Sequence, residues 1–335
     1  MTAATARRSR PRTLDLRPAL VGWILVFALG SLVWRDALPT FIVIDLIVSV
    51  ALAIALYVIA PRKQRNTIRR LIIFLMGSVL FSVAVFSGRG NMQPEGLYFG
   101  ILITVTHPAV IHYALAKIVG PLFFGRVWCG WACWFAALFD QLPFKRSRGR
   151  LRGRWGWLRY AHFALSLGLV LLFWFGYDYH DGANGVTGLM WFLIGAGLYV
   201  LTGVLLAFIL KDNRAFCKYV CPINVPLKLS SSRSLLRLEG DPAKCNDCHA
   251  CVVVCPMDVQ IPQYIADKQR VLSTECTMCI SCINVCPKDA LKLSFGWDTG
   301  AERLRSRKPQ ANLDWLRGLK FRRLLPGKHD LSNLP

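Results

Sequence analysis

The sequence predicts a membrane-embedded α-helical bundle of about six spans, N-in and C-in, closed by a small cysteine-rich α+β domain on the cytoplasmic side. Three observations lead there. The chain of 335 residues is 54% hydrophobic and only 18% charged, too apolar for an ordinary soluble domain. Its basic residues crowd alternate connections between apolar runs. All 12 cysteines fall in patterned groups beyond the fourth of those runs.

The runs at 18–34, 40–60, 71–86, 97–119, 158–177 and 188–210 are read as spans of a hydrocarbon core about 30 Å thick. The first and third are short, so flanking Arg side chains snorkel to the interface. The first is not a secretory signal, because it ends at Trp34-Arg35-Asp36 without a small-residue cleavage site. A net charge of +22 would suit a nucleic-acid binder, but its placement argues otherwise. Basic residues gather at 7–17, in a loop at 61–70 and at 145–159, whereas the intervening connections hold Arg35, Arg89 and, across 178–187, none. That is the positive-inside asymmetry of a multi-pass inner-membrane protein, and no nucleic-acid partner is expected. The stretch 121–143 is apolar too. A crossing there would place the 145–159 cluster outside, so it is read as a re-entrant or interfacial element on the cytoplasmic side.

The resulting organisation is a basic N-terminus at 1–17, a transmembrane domain at 18–210, a connector at 211–240, the cysteine-rich domain at 241–293 and a basic tail at 294–335. Within the tail, 313–325 (LDWLRGLKFRRLL) mixes Trp, Leu and Arg at helical spacing. It suits the anionic leaflet or a solvated helix equally.

Eight cysteines form two copies of one run: Cys245-x2-Cys248-x2-Cys251-x3-Cys255-Pro256 and Cys276-x2-Cys279-x2-Cys282-x3-Cys286-Pro287. This is the spacing of bacterial ferredoxins with two [4Fe–4S] clusters, in which the fourth cysteine of each run ligates the other cluster. One cluster then takes Cys245, Cys248, Cys251 and Cys286, and the other takes Cys276, Cys279, Cys282 and Cys255. The two-residue gaps converge three thiolates on three irons, and x3-C-P is expected to start a helix leading away. A zinc ribbon uses C-x2-C pairs rather than four-cysteine runs, and a disulfide framework conflicts with a reducing cytoplasm. Cys245 to His249 also spells C-x-x-C-H, the attachment signature of a c-type haem. The second copy has Ile280 where the first has His249, and haem would strand Cys251 and Cys286. Iron–sulfur is therefore the reading. His249 becomes a surface residue of the loop, with tuning of the potential as its alternative role.

The other four cysteines form two pairs: Cys129 and Cys133 in GRVWCGWACW, and Cys217 and Cys221 in RAFCKYVCP. At i and i+4, each pair is expected on one side of a helical turn. Together they would make a four-thiolate site at the membrane boundary for a third cluster or another metal, or act as two dithiol couples. Buried inert cysteines are the plain alternative. Within 97–119, His107 and His112 are five residues apart and point to different helix faces. His112 and His162 are candidates for a haem b or quinone site between two helices, set against the preferred reading of hydrogen-bonded packing. Pro108 is expected to kink its helix.

The order of these motifs resembles the NosR/NapH-type membrane polyferredoxins, a family with NapH/MauN-like and FixG/CcoG-like branches. The resemblance rests on G-R-x-x-C-G-x-x-C at 125–133, C-x3-C-P at 217–222 and the two ferredoxin runs. Trp134 stands where the family pattern has Pro after Cys133. By size the chain is similar to NapH-like members, with the hairpin at 18–60 as an addition. The resemblance implies an inner-membrane electron carrier between the quinone pool or a cytoplasmic ferredoxin-type donor and a periplasmic reductase. The alternative it implies is a metalloenzyme maturation factor that reduces or delivers copper through the boundary cysteines. No nucleophile triad, phosphate loop or flavin motif points to a soluble-side enzyme.

Overall fold

The computed structural model describes residues 38–86, 91–144, 147, 149–151, 155–183 and 185–298. The expected span at 18–34 and the tail helix at 313–325 lie outside these residues. Helices α1 (Leu38–Ile59) and α2 (Arg62–Phe86) form the first hairpin. Pro61 separates them, because it has no N–H with which to continue α1. The basic stretch at 61–70, expected as a loop, is helical from Arg62 onward. Arg, Lys and Gln are good helix formers, and the apolar run behind them nucleates the helix.

The expected single span at 97–119 is broken, not merely kinked. Helix α3 (Pro94–Ile103) ends at extended Thr104 (φ −168°, ψ 144°), and α4 (Pro108–Tyr113) starts after His107 (φ −57°, ψ 139°). Proline excludes the helical conformation from the residue before it. The Thr104 and Thr106 hydroxyls, 3.1 Å apart, bond within the gap instead. Helix α4 continues through a π-helical turn at Ala114–Val119 into α5 (Gly120–Phe124). Gly125, at φ +63°, then turns the chain into α6 (Val127–Trp131) and α7 (Trp134–Phe139). The two halves, Ala109–Phe124 and Val127–Phe139, meet at 97°, as a broken span or a re-entrant loop does.

Helix α8 (Leu158–Leu171) follows a 3-10 turn at Trp155–Trp157 and ends in a π-helical turn at Leu172–Gly176; α9 is Gly185–Leu210. Among the described residues, Arg62–Phe86, Trp155–Gly176 and Gly185–Leu210 are each long and apolar enough to cross a membrane, with a fourth crossing if the bent pair is one span. Leu165, Phe175, Ile194, Leu201 and Ile209 on α8, its π-helical turn and α9 are exposed. Such apolar faces suit lipid and not water.

Beyond α9 come α10 (Ala215–Tyr219), α11 (Asn224–Ser231), β1 (Leu236–Gly240), α12 (Ala250–Val253), α13 (Ile261–Ala266), α14 (Ser281–Val285) and β2 (Leu291–Phe295). The two strands pair antiparallel, with Leu236 opposite Phe295 and Gly240 opposite Leu291. Strand β1 comes from the stretch read as connector, so the folded unit begins before residue 241. No helix starts at either C-P, and α13 begins only at Ile261, five residues beyond Pro256. Instead α12 and α14 precede Cys255 and Cys286, and each Pro enters a turn. Left-handed Asp258 (φ 55°) and Asp289 (φ 51°) block helix growth there. The turns bring Val259 N–H back to Cys255 Sγ (3.4 Å) and Ala290 N–H back to Cys286 Sγ (3.3 Å).

One apolar core runs through both parts of the molecule. Phe135, Phe139, Tyr199 and Phe216 pack in the same cluster as Leu238, Met257, Ile261 and Leu291. The second cysteine run also docks on the first hairpin: Asn284 Nδ2 donates to Asn66 Oδ1 (2.8 Å) and to Tyr57 Oη (2.9 Å), and Arg62 pairs with Asp289.

Candidate functional site

Cys245, Cys248, Cys251 and Cys286 line one cleft of about 340 Å³. Cys255, Cys276, Cys279 and Cys282 form a second group, close enough that each thiolate would feel the others. The fourth cysteine of each run thus sits with the first three of the other. The two loops share one backbone design. Residues on either side of the second cysteine are left-handed: Asp247 (φ 52°) and His249 (φ 58°) in the first run, Met278 (φ 53°) and Ile280 (φ 52°) in the second. Non-glycine residues held there cost roughly 1–3 kcal/mol each. Backbones of this kind gather N–H groups into a nest that receives anions, iron–sulfur clusters among them. Burial, then the neighbouring Cys248, pushes the Cys251 thiol up to about 12, and burial lifts Cys276 to about 11. Thiols held in this way ionise when iron supplies the countercharge.

Among the described residues, no group of three or more His, Cys, Asp or Glu side chains is placed to hold a single metal ion. A four-iron cluster takes one thiolate for each iron, and each of the two groups brings four cysteines together. His249 lines the rim of the first cleft. Its side chain is exposed, with Nε2 3.6 Å from Asp247.

Cys129, Cys133, Cys217 and Cys221 come together in a cleft of about 550 Å³ that Lys117, Arg126 and Arg214 also line. The two pairs match each other, but neither lies on a single helical turn. Cys129 is in α6 and Cys217 in α10, and both helices end before the second cysteine. Cys133 N–H donates to Trp128 O at 2.9 Å and Cys221 N–H to Phe216 O at 3.0 Å. These wide closing turns carry the second sulfur off the helix and round the cleft.

Three residues before the first cysteine, each pair has a buried arginine. Arg126 Nη2 is 4.0 Å from Cys129 Sγ, and Arg214 Nη1 is 3.9 Å from Cys217 Sγ. Arg214 forks onto Asp140 (2.6 and 2.8 Å), which also accepts from Arg69 (3.0 Å). Arg126 donates to Asn224 Oδ1 (2.6 Å) and Thr274 O (2.9 Å) and lies 3.5 Å from Glu275. Glu275 also pairs with Arg150, Arg159 and Lys228. Burial alone would raise the Glu275 carboxyl, but these four cations outweigh it and hold the group well below the usual carboxylate range. Lys117 is buried with Nζ 4.0 Å from the centre of the Trp128 ring.

Arg69 and Arg159, counted among the loop charges, are therefore buried ion-pair partners. Arg69 and Arg214 share Asp140; Arg126, Arg150, Arg159 and Lys228 share Glu275; and Lys117, the third cation lining the cleft, lies over Trp128. Buried charge requires countercharge. The cleft is thus fitted to an anionic occupant, and a cluster held by four thiolates is one.

The histidines have separate partners. His107 caps α4, accepting from Ala109 N–H at 3.2 Å. His112 packs edge-on against Trp128, with ring centres 5.9 Å apart. His162 Nδ1 lies 3.0 Å from Val220 O, and its ring stands 5.1 Å from Tyr199. Tyr199 and Ser166 both donate to buried Glu95, at 3.2 and 2.8 Å. The sequence reading passed over Glu95, Lys117, Arg126, Arg214 and Glu275. Signals existed for some: a lysine inside an apolar run, and an arginine three residues ahead of both boundary pairs.

The fold and these cysteine groups define a membrane-associated iron–sulfur protein. A family model described as a 4Fe-4S dicluster domain matches residues 237–287. Another, described as a 4Fe-4S binding domain, matches 106–153 and 185–237, the stretches that carry the two boundary pairs. The methylamine utilization ferredoxin-type protein MauN of Methylobacillus flagellatus is 29% identical over 168 residues, which is 48% of this chain and 58% of that protein. An uncharacterized protein of Methanocaldococcus jannaschii is 27% identical over 191 residues, 51% of this chain and 77% of its own length. The ferredoxin-type protein NapH of Haemophilus influenzae is 28% identical over 145 residues, 39% of this chain and 47% of that protein. The chain thus spans only part of these relatives. No solved structure matches it. The chain is thus similar to NapH/MauN-like 4Fe–4S proteins, and these similarities support an iron–sulfur electron-transfer role.

Proposed function

We propose that this protein is a multi-pass inner-membrane electron carrier of about six spans, with both termini and the ferredoxin unit in the cytoplasm. Cys245, Cys248, Cys251 and Cys286 hold one [4Fe–4S] cluster, and Cys276, Cys279, Cys282 and Cys255 hold a second. Cys129, Cys133, Cys217 and Cys221 hold a third. The observation that carries this reading is the boundary cleft, where four cysteines from two distant stretches face one cation-lined space. Trp155, Trp157 and Tyr160, exposed at the start of α8, suit a membrane interface, and the basic 145–159 segment beside them supports the cytoplasmic side for it. When bound, the clusters supply one-electron chemistry. The chain's residues hold them, exclude water and set their potentials by nearby charge.

Electrons pass between the quinone pool or a cytoplasmic ferredoxin-type donor and a partner redox enzyme such as a periplasmic reductase. The quinone link draws support from two polar contacts on neighbouring rings: His162 meets Val220 O, beside Cys221, and packs edge-on against Tyr199, whose hydroxyl donates to Glu95. Quinone reduction needs acid–base groups of this kind within the membrane part. The maturation alternative uses Cys129 and Cys217 to reduce or deliver copper.

Iron and acid-labile sulfide in anaerobically purified protein test the reading: about twelve of each are expected. About eight would leave the boundary cysteines as dithiols, and about four or fewer after full reconstitution would overturn the ferredoxin assignment. A quinol analogue should reduce the clusters in proteoliposomes. Copper turnover dependent on Cys129 and Cys217, with no reduction by quinol, would favour maturation instead.

A further inference from the structure

We infer that the turn at Cys129–Gly130 and the turn at Thr277–Cys279 form the junction through which electrons cross between the ferredoxin unit and the boundary site. The inference rests on the boundary site being a cluster, and it assigns an order: the Cys245 group outermost, the Cys276 group between, the boundary group innermost.

The junction is a backbone-to-backbone contact. A Cβ on Gly130 would stand 2.5 Å from Thr277 O, 3.1 Å from Cys279 Cα and 3.2 Å from Cys279 N. Only glycine lets the two ligand loops come this close. The contact is held on several sides. Trp131 Nε1 donates to Met278 O at 2.9 Å, Arg69 Nη1 donates to Gly130 O at 3.0 Å, and Arg126 Nη1 donates to Thr274 O at 2.9 Å. The Met278 side chain also lies over Gly125, where a Cβ would meet its Cγ at 3.2 Å. A cysteine ligand of the boundary site and one of the Cys276 group are thus each one residue or less from a shared van der Waals contact.

Burial sets the order. Thr277, Met278 and Cys279 are buried, whereas Asn246, Asp247 and His249 of the first run are exposed. The first run is therefore open to a soluble partner, and the second is closed against the boundary loop. Electron exchange falls off steeply with separation, so the tightest contact between ligand loops is the favoured crossing. The electron that one group loses is the electron the other gains, and no bond or proton changes place at the junction.

The test uses the full-length, reconstituted protein. In the fully reduced wild type, electron paramagnetic resonance should show spin–spin interaction between the boundary cluster and the Cys276-group cluster. Gly130→Ala forces the loops apart, so it should weaken that interaction and slow reduction of the boundary cluster by a reduced ferredoxin-type donor, with iron content unchanged. Trp131→Phe loses the bond to Met278 O and trims the ring that packs edge-on against Tyr57, and should act in the same direction. It serves if the alanine variant does not fold. An interaction untouched in both variants at full iron content would overturn the junction. So would one that Cys245→Ala abolishes, since its partner would then be the outer group. About eight irons in the wild type, with no boundary signal, would overturn the third cluster and the junction with it.

Discussion

Replacing Arg126 with Met removes a charge from the boundary cleft without stranding an anion. Glu275 keeps Arg150, Arg159 and Lys228. Arg126 Nη2 lies 4.0 Å from Cys129 Sγ. Unit charges at about 4 Å interact by about 4 kcal/mol at an effective dielectric of about 20. An added electron spreads over the whole cluster, so the share felt by Arg126 is about half, roughly 2 kcal/mol. At about 2.3 kcal/mol per 100 mV for one charge, that is a shift of roughly 90 mV. The sign follows from the charge. Losing a cation disfavours the more negative, reduced form, so the midpoint potential of the boundary cluster falls. Arg126→Lys restores the charge, and with it most of the potential, but not the fork to Asn224 and Thr274. Both variants leave buried acceptors unpaired, at about 1–3 kcal/mol of stability each, so thermal stability and potential separate the two roles. The assay is a potentiometric titration followed by electron paramagnetic resonance. A boundary midpoint unmoved in Arg126→Met, with iron content equal to wild type, would refute the charge argument, as would a rise.

Other substitutions probe the support around the site. Asp140→Asn leaves Arg69 and Arg214 facing a neutral amide, and should cost about 3–5 kcal/mol in thermal unfolding in detergent; a change near zero would show that the pairs carry no net stability. Gly203→Ala drives a Cβ to 2.1 Å from the Phe139 ring and should cost about 1–3 kcal/mol by overpacking, with iron retained; loss of iron without loss of stability would contradict this. Cys245→Ala should remove about four irons, and a pyridine haemochrome assay should show no covalent haem in wild type or variant. A c-type band lost in that variant would reinstate the haem reading of C-x-x-C-H.

Much of the ferredoxin unit was legible because its chemistry is written in spacing. The duplicated run carried the grouping of Cys255 and Cys286, and the apolar runs at 158–177 and 188–210 carried α8 and α9. The local backbone was not legible. Asp247 and His249 are residue types that tolerate the left-handed region, but left-handed Met278 and Ile280 follow no residue preference, and the demand of the loop for inward N–H groups puts them there. The break at Thr104–His107 was signalled by Pro108, but hydropathy averaged it away. The boundary site was legible as four cysteines and illegible as an electrostatic device. Arg69 and Arg159 look like loop charges in sequence, and only the tertiary pairing with Asp140 and Glu275 buries them. The Cys129–Gly130 contact with Thr277 joins residues about 150 positions apart in sequence, beyond the reach of any local pattern.

The two boundary pairs are better understood as halves of one site than as two dithiols. Each pair's arginine is held by the opposite arm. Arg126, ahead of Cys129, donates to Asn224, which follows Cys221 by three residues. Arg214, ahead of Cys217, forks onto Asp140, at the end of the helix that follows Cys133, and its Nη1 reaches Cys129 O at 3.2 Å. Asn224 also donates back to Cys217 O. Neither arm can place its own arginine and first cysteine without the other. Independent dithiols would need no such exchange of partners, and removing one pair would leave the other at work. A single four-thiolate site makes the opposite demand. Cys129→Ala and Cys221→Ala, on different arms, should each lose the same complement of about four irons and leave the same residual spectrum. Two partial, additive losses would restore the dithiol reading.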